Sequence, residues 1–251
     1  MKIIVLGSGT AAPRLSRNMA SYLFEMNNKK ILFDSGPGTI RQLLKLKISL
    51  LDIDHIFYTH FHNDHINDLP AIIWSNNYGN FRKKTLNLYG PKGFKKYYKI
   101  LMDSILQIKK QLKLSFKVNI NEMKDDFEVK INNIIIKAKK TKHTENGIAY
   151  RIEYNNKAIV YSGDTDFSDE IIEIAKDADL LILECSFPDE KKVKGHLTPS
   201  LAGIIARKAK VKKLVLTHFY PECDFVDMKA QCAKEFKGKI VLAKDFLSLK
   251  I

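Results

Sequence analysis

The chain has 251 residues, a mass of 28.8 kDa and a formal net charge of +14 at pH 7. Apolar residues are spread along this length without a low-complexity linker, which predicts a single α/β domain over residues 1–251. No apolar run approaches a membrane span, and the N-terminal run is too short for a signal peptide. Three cysteines at irregular spacing argue against a disulfide framework, so we expect a cytoplasmic protein without a membrane partner.

Lysine carries most of the positive charge, with 36 lysines against 6 arginines. Such an excess attracts polyanions, and nucleic acid, of which RNA is one candidate, is the obvious partner. The lysines are scattered along the chain rather than grouped in one basic arm, and a lysine-rich solvated surface explains the composition equally well. The charge therefore leaves both interpretations open.

Two segments of the chain resemble each other. Residues 22–36 read YLFEMNNKKILFDSG and residues 150–164 read YRIEYNNKAIVYSGD, with Tyr, Glu, Asn-Asn-Lys and Ile at matching places. Each segment predicts a hairpin of alternating strands joined by an Asn-Asn turn with positive φ. A short helix and then a buried strand follow each hairpin, with helices over 40–46 and 171–175 and strands over 54–60 and 179–185.

The last part of the chain repeats this order. A helix over 199–209 leads into a strand over 212–220, which repeats the Thr-His-Phe of residues 59–61. The shared order predicts two sheet-and-helix halves packed sheet to sheet, with the helices outside. Between the halves, the lysine-rich residues 76–130 are expected to be scaffold, with an amphipathic helix over 94–112 and strands over 114–120 and 127–138.

The segment THFHNDHINDLP, residues 59–70, concentrates metal-binding side chains directly after a buried strand. His60, His62, Asp64 and His65 form the pattern H-x-H-x-D-H. Only irregular backbone can turn all four side chains to one point, and a turn that leaves a strand provides it. Imidazole and carboxylate in this mixture suit zinc, with manganese or iron as alternatives. A helix cap with incidental histidines is the competing interpretation.

Three further ligand-type residues follow predicted strands, namely His143 in KTKHTENG, Asp164 in YSGDTD and His218 in LTHFYP. Each alone could be an ordinary surface or core polar residue. Ligand sites in α/β sheets gather at strand ends, so we expect the three to join the first cluster.

These motifs, together with VLGSGTAAP at the start, LFDSGPGTIRQLL and GHLTPSLAG, resemble the metallo-β-lactamase superfamily and, within it, the ribonuclease Z-like branch. The resemblance covers nearly the whole chain and implies an α/β fold, a four-layer αββα sandwich that holds two divalent metal ions. It implies one ion on His60, His62 and His143, a second on Asp64, His65 and His218, and Asp164 as the bridge. It also implies that Asp34 orients an imidazole ligand from behind.

The chemistry that this resemblance implies starts with a shared water. Two divalent ions lower its pKa toward about 7, and the resulting hydroxide is the nucleophile. Asp64 is expected to hold that water and to accept a proton. His196 resembles the family histidine that reaches the scissile group, where it stabilises charge or protonates the leaving oxygen. Capping of the following helix is the alternative, for which Thr198 ahead of Pro199 is the better residue.

The expected function is a phosphodiesterase acting on a small or cyclic nucleotide phosphodiester or on RNA. A tRNA 3′-processing endonuclease is the first alternative, but the arm that grips tRNA in the family, between the equivalents of His143 and Asp164, is missing. Leu15 also replaces a lysine of the family's N-terminal loop. An armless endonuclease is expected to draw its basic surface from a homodimer. Two more functions fit the same motifs: thioester or lactone hydrolysis, and a non-catalytic role as a metal-stabilised RNA-binding module.

Overall fold

A computed structural model of the protein describes residues 1–79, 82–105 and 114–251. Within these residues, two seven-stranded sheets pack face to face and helices cover their outer faces, which gives the predicted four-layer αββα sandwich. In the same ranges, no helix is long and apolar enough to cross a membrane.

The strands are β1 (Lys2–Gly7), β2 (Ser21–Met26), β3 (Lys29–Phe33), β4 (Ile53–Phe57), β5 (Leu86–Pro91), β6 (Val118–Met123), β7 (Glu128–Ile131), β8 (Ile134–Lys140), β9 (Ile148–Tyr154), β10 (Lys157–Tyr161), β11 (Leu180–Glu184), β12 (Lys213–Thr217), β13 (Lys239–Leu242) and β14 (Ser248–Lys250). The α-helices are α1 (Thr39–Lys45), α2 (Asn63–Ile66), α3 (Leu69–Trp74), α4 (Phe94–Ile105), α5 (Asp169–Ile174), α6 (Pro199–Lys208) and α7 (Met228–Ala233).

The two sheets share one plan. The first has the order β14-β1-β2-β3-β4-β5-β6, and the second has the order β13-β12-β11-β10-β9-β8-β7. In each, an antiparallel hairpin, β2-β3 or β9-β10, adjoins a run of parallel strands. The internal similarity seen in the sequence is therefore a similarity of topology. The parallel strands of a sheet end at one edge, and loops that leave that edge can meet.

The hairpin turns form as the Asn-Asn pairs predict. Asn27 and Asn28 have φ angles of 50° and 56°, and Asn155 and Asn156 have φ angles of 50° and 57°. Two consecutive residues with positive φ match the right-handed twist of the flanking strands.

Aromatic rings fill much of the space between the sheets. Phe33 of the first sheet lies 5.5 Å from Tyr150 and 6.4 Å from Tyr161 of the second, measured between ring centroids. Separate apolar clusters lie outside each sheet, where α3 and α4 cover the first and α5 and α6 cover the second. The central layer therefore fixes the two sheets against each other.

The middle segment departs from its prediction. Strand β5 was not expected, because the short alternating stretch LNLYG follows lysines and gains its strand conformation by pairing between β4 and β6. The strand expected over 114–120 begins only at Val118, and the one expected over 127–138 is the β7-β8 hairpin. The helix expected to residue 112 is described to Ile105, and residues 106–113 lie outside the described part.

Candidate metal centre

The irregular backbone after β4 presents the first four polar side chains. His60 lies in the irregular segment that follows the strand, and His62 is the N-cap of α2, with φ −65° and ψ 147°. Asp64 and His65 lie in the single turn of α2. The change from extended to helical backbone between these pairs turns all four side chains toward one edge of the sandwich.

The second sheet contributes the other three residues from loops at the same edge. His143 lies between β8 and β9, Asp164 follows β10, and His218 follows β12 directly. His218 has φ +60°, a left-handed conformation that is unfavourable for a non-glycine residue. Such strain, of about 1–3 kcal/mol, persists where the surroundings require the conformation, commonly at functional sites.

One group of side chains consists of His60, His62, His143 and Asp164, whose ligand atoms all lie within 4.8 Å of one another. His143 Nε2 is 3.2 Å from His62 Nδ1 and 3.6 Å from Asp164 Oδ2. His60 Nε2 is 3.8 Å from the same carboxylate oxygen. Three ring nitrogens and one carboxylate oxygen therefore surround one point.

A second group consists of Asp64, His65 and His218, again within 4.8 Å. His218 Nε2 is 3.2 Å from both His65 Nε2 and Asp64 Oδ2. The other oxygen of Asp164, Oδ1, lies 3.2 Å from His65 Nε2 and 3.4 Å from His218 Nε2. Asp164 thus presents one oxygen to each group, and the structure brings all seven predicted residues together.

The polar atoms of these groups fit divalent metal binding. Among the described residues, His60 Nε2 and Asp164 Oδ1 are buried without a hydrogen-bond partner. Buried polar atoms are costly when they remain unpaired, and a cation that accepts their lone pairs removes that cost. Imidazole nitrogen and carboxylate oxygen are ligands that zinc, manganese and iron share.

Hydrogen bonds behind the imidazoles decide which nitrogen faces the centre. In four of the five rings, Nδ1 faces away from the centre and contacts an oxygen. His60 Nδ1 is 3.0 Å from Thr59 Oγ1, and His65 Nδ1 is 2.8 Å from Asp34 Oδ2. His143 Nδ1 is 2.8 Å from the Gly195 carbonyl, and His218 Nδ1 is 3.0 Å from Ser186 Oγ. With Nδ1 protonated in each ring, Nε2 keeps its lone pair for a ligand. His62 differs from these four, since its Nδ1 faces the centre.

Asp34 is the central acceptor in this outer layer. Its carboxylate is completely buried and accepts hydrogen bonds from the Thr59 amide and hydroxyl, at 2.8 and 2.9 Å, and from His65 Nδ1. Tyr161 donates a further bond of 2.6 Å from the opposite sheet. The predicted role of Asp34 behind an imidazole agrees with this geometry, whereas the part of Tyr161 was not predicted.

The electrostatics differ between the two groups. In the first, burial and neighbouring histidines lower the pKa values of His60 and His62. In the second, the carboxylates favour positive charge. Burial alone would lower the pKa of His65, but the charges of Asp164, Asp34 and Asp64 raise it well above its ordinary value. Burial would raise the pKa of Asp64, yet the charge of His65 and the hydrogen bond from His218 lower it below its ordinary value. A buried site that stabilises imidazolium this strongly is suited to a metal cation.

His196 lies at the rim of the centre and is held by a buried carboxylate. Its Nδ1 is 2.8 Å from Glu184 Oε1, and its ring is 4.7 Å from that of His143. Burial lowers the pKa of His196, but the hydrogen bond and charge of Glu184 raise it above its ordinary value. Thr198 is the N-cap of α6, as predicted, although its hydroxyl makes no capping bond.

Glu184 and Ser186 are two further residues that sequence reasoning missed. Glu184 is buried, and besides His196 it accepts bonds from the Ser186 hydroxyl at 2.8 Å and the Leu197 amide at 3.1 Å. The Ser186 hydroxyl in turn contacts His218 Nδ1. One signal was available, because Glu184 is the only charged residue of the otherwise apolar strand LLILE.

A cleft of about 900 Å³ opens beside the centre. His143 and Gly195 line it on one side, and Lys142 and Lys194 are among its other lining residues. The two lysines are exposed, but the cleft is also lined by acidic residues, so its charge is mixed; these are Glu145, Asp166, Asp169 and Glu170.

The fold and the paired His/Asp groups define a metal-dependent hydrolase of the metallo-β-lactamase superfamily, in its ribonuclease Z-like branch. The family model described as anti-Pycsar protein Apyc1 matches residues 1–238. The chain belongs to this family.

Known relatives are similar over the full length. A ribonuclease Z from Archaeoglobus fulgidus is 27% identical, with 100% of this chain and 97% of the relative covered. The metallo-β-lactamase fold protein YhfI from Bacillus subtilis is 25% identical, with a TM-score of 0.84 over 99% of this chain and 98% of that one. The human short-form tRNase Z has the same fold, at 24% identity and a TM-score of 0.82 over 100% and 99% of the two chains.

Proposed function

We propose that the protein is a phosphodiesterase that hydrolyses a small or cyclic nucleotide phosphodiester, or a phosphodiester of RNA, by means of two divalent ions. Zinc is the expected metal, with manganese or iron as alternatives. The observation that carries this proposal is Asp164, whose two oxygens face two separate groups of buried ligand atoms. A carboxylate placed in this way would serve as a ligand to both ions.

Each ion has its own set of ligands in this proposal. The first would be held by His60, His62, His143 and Asp164, and the second by Asp64, His65, His218 and Asp164. When bound, such ions supply the charge that lowers the pKa of a water molecule and neutralises negative charge in the transition state.

Asp64 and His196 move the protons in this reaction. Asp64 Oδ2 lies among the ring nitrogens of the second group, where it can hold the attacking water and accept its proton. The bond from His196 Nδ1 to Glu184 leaves Nε2 as the ring nitrogen that donates to the leaving oxygen. Glu184 positions that imidazole and does not itself touch substrate.

Two observations favour a phosphodiester over a thioester or lactone. The net charge of +14 attracts an anionic substrate. The second observation is the full-length similarity to a ribonuclease Z, an enzyme named for RNA.

The similarity to ribonuclease Z also supports tRNA 3′-processing as a second candidate function. Residues between His143 and Asp164, all of them described, form only the β9-β10 hairpin and its flanking loops. Without an arm in this interval, affinity for folded tRNA has to come from the remaining basic surface, for which a homodimer is one source.

A substrate panel tests these proposals. Metal-loaded protein is assayed with bis(p-nitrophenyl) phosphate, 2′,3′-cyclic nucleotides, precursor tRNA and S-lactoylglutathione, beside Asp64→Ala and the exposed control Asp52→Ala. We expect turnover of phosphodiesters that Asp64→Ala lowers by about 10² or more and Asp52→Ala leaves unchanged. Accurate cleavage of precursor tRNA supports the second candidate. Turnover of the thioester alone, or RNA binding without any turnover, contradicts both.

A further inference from the structure

Two aromatic residues follow neighbouring parallel strands beside the metal centre. Glu184 of β11 pairs with Thr217 of β12 in the register of the second sheet. Phe187 and Tyr220 lie three residues beyond these partners, so the shared register brings their side chains together. Their rings stack with centroids 4.6 Å apart and an interplanar angle of 16°.

Backbone hydrogen bonds anchor the loops that carry this aromatic pair. The Tyr220 amide donates to the Ser186 carbonyl at 3.2 Å, and the Tyr220 carbonyl accepts from the Cys223 amide at 3.0 Å. The Phe187 amide donates to the Leu197 carbonyl at 3.4 Å. Rigid aromatic side chains lose little conformational entropy when a ligand binds to them.

The pair borders the reacting centre and remains open to a ligand. Phe187 and Tyr220 are both half-buried. The Tyr220 ring lies 6.2 Å from those of His196 and His218, and the Phe187 ring lies 5.9 Å from that of His196. Among the described residues, the Tyr220 hydroxyl has no hydrogen-bond partner. A group attached through one sugar to a phosphate between His196 and His218 would reach these rings.

We propose that Phe187 and Tyr220 form a stacking platform for the nucleobase of the substrate. This inference rests on the proposed phosphodiesterase function and specifies what the substrate carries beside its scissile phosphate. Every nucleobase presents a π face, so a platform of this kind tolerates different bases and is selective for nucleotides over base-free esters. The Tyr220 hydroxyl adds one polar contact to the base or its sugar.

The test compares substrates with and without a base. Metal-loaded protein is assayed with 2′,3′-cyclic nucleotides and with glycerol 1,2-cyclic phosphate, which has the cyclic diester but no aromatic ring. The variants are Phe187→Leu, Tyr220→Leu and Tyr220→Phe. The control is Tyr78→Leu, which removes a surface tyrosine that pairs with Trp74 at 4.7 Å.

The two leucine variants at the platform are expected to raise KM for cyclic nucleotides about 5- to 150-fold. They should leave turnover of glycerol 1,2-cyclic phosphate within about threefold of wild type, as should the Tyr78 control. Tyr220→Phe keeps the ring and should lose less than Tyr220→Leu. Equal losses on both substrates, or no loss on either, would overturn the platform.

Binding of 2-aminopurine riboside phosphate, followed by fluorescence quenching, separates this inference from the proposed function. If wild-type protein cleaves no phosphodiester, the function fails. The platform then stands if wild type quenches the probe and both leucine variants lose that binding by a similar factor. It fails if wild type does not bind the probe or the variants bind it equally well. Unchanged metal content in each variant shows that the fold is intact.

Discussion

The substitution Asp34→Asn tests how the buried carboxylate behind the metal centre supports it. Residue 34 has φ +56°, a left-handed conformation that asparagine tolerates well, so the exchange changes the chemistry without straining the backbone. Of the four hydrogen bonds that the Asp34 carboxylate accepts, one ends on Oδ1 and three end on Oδ2. A carboxamide accepts at its oxygen only and donates from its nitrogen.

Either orientation of the new amide leaves a conflict. With nitrogen at the Oδ2 position, the amide meets three donors, and with nitrogen at the Oδ1 position it meets the Thr59 N–H. The second orientation is less costly, because only the Thr59 N–H and the new amide N–H then face each other without an acceptor, at about 1–3 kcal/mol. It also weakens the bond to His65, which then meets a neutral oxygen. We expect the free energy of unfolding of metal-free protein to fall by about 2–4 kcal/mol. Metal affinity should fall about 10- to 100-fold, since His65 becomes a poorer ligand.

Urea denaturation of metal-free protein and zinc titration monitored by a competing chelator measure the two effects. Asp52→Asn is the matched control, because its side chain is 47% exposed and, within the described ranges, pairs with Lys30 alone. The control should change the unfolding free energy by less than about 1 kcal/mol. Equal stability and equal zinc affinity in Asp34→Asn and the control would refute the role assigned to Asp34.

Three further variants test other parts of the structure. Glu184→Gln should lower kcat about 10²-fold without changing metal content, because His196 loses its charged partner; unchanged kcat would contradict that role. Gly163→Ala should lower the free energy of unfolding, measured in urea, by about 1–3 kcal/mol, because residue 163 has φ +58° and the new Cβ would lie 2.6 Å from Thr59 Cβ. A variant as stable as wild type would contradict this strain. Burial raises the pKa of Asp179, but hydrogen bonds from the Ala158 amide and two lysines lower it overall. The Asp179 carboxylate therefore stabilises the folded protein at pH values above its pKa in the unfolded chain, and this stabilisation is lost in acid. The stability gap between wild type and Asp179→Asn should therefore shrink below about pH 5, and a gap that widens in acid would be inconsistent with it.

Much of the candidate centre was predictable because its proposed ligand residues sit in short, dense motifs. Four of the seven residues occupy the six positions from His60 to His65, a concentration that few structural roles require. His143, Asp164 and His218 were placed by strand ends and by the internal similarity of the two hairpins, and the observed register brings them to the same edge.

The missed residues act through contacts that local patterns do not encode. Glu184 and Tyr161 each stand at the end of an apolar strand, and their partners are distant in sequence, 12 positions away for His196 and 127 for Asp34. Strand β5 likewise depends on its neighbours β4 and β6 rather than on its own composition. Pairings of this kind become visible only when both sheets are assembled.

A titration of activity with metal tests the central claim most directly. Protein stripped of metal is supplied with increasing equivalents of zinc, and hydrolysis of bis(p-nitrophenyl) phosphate is followed at each step. Two groups of ligand atoms joined by Asp164 predict no turnover without metal and full turnover at two equivalents per chain. Turnover that persists in the metal-free protein, or that reaches its maximum at one equivalent, would contradict a centre of two cooperating ions.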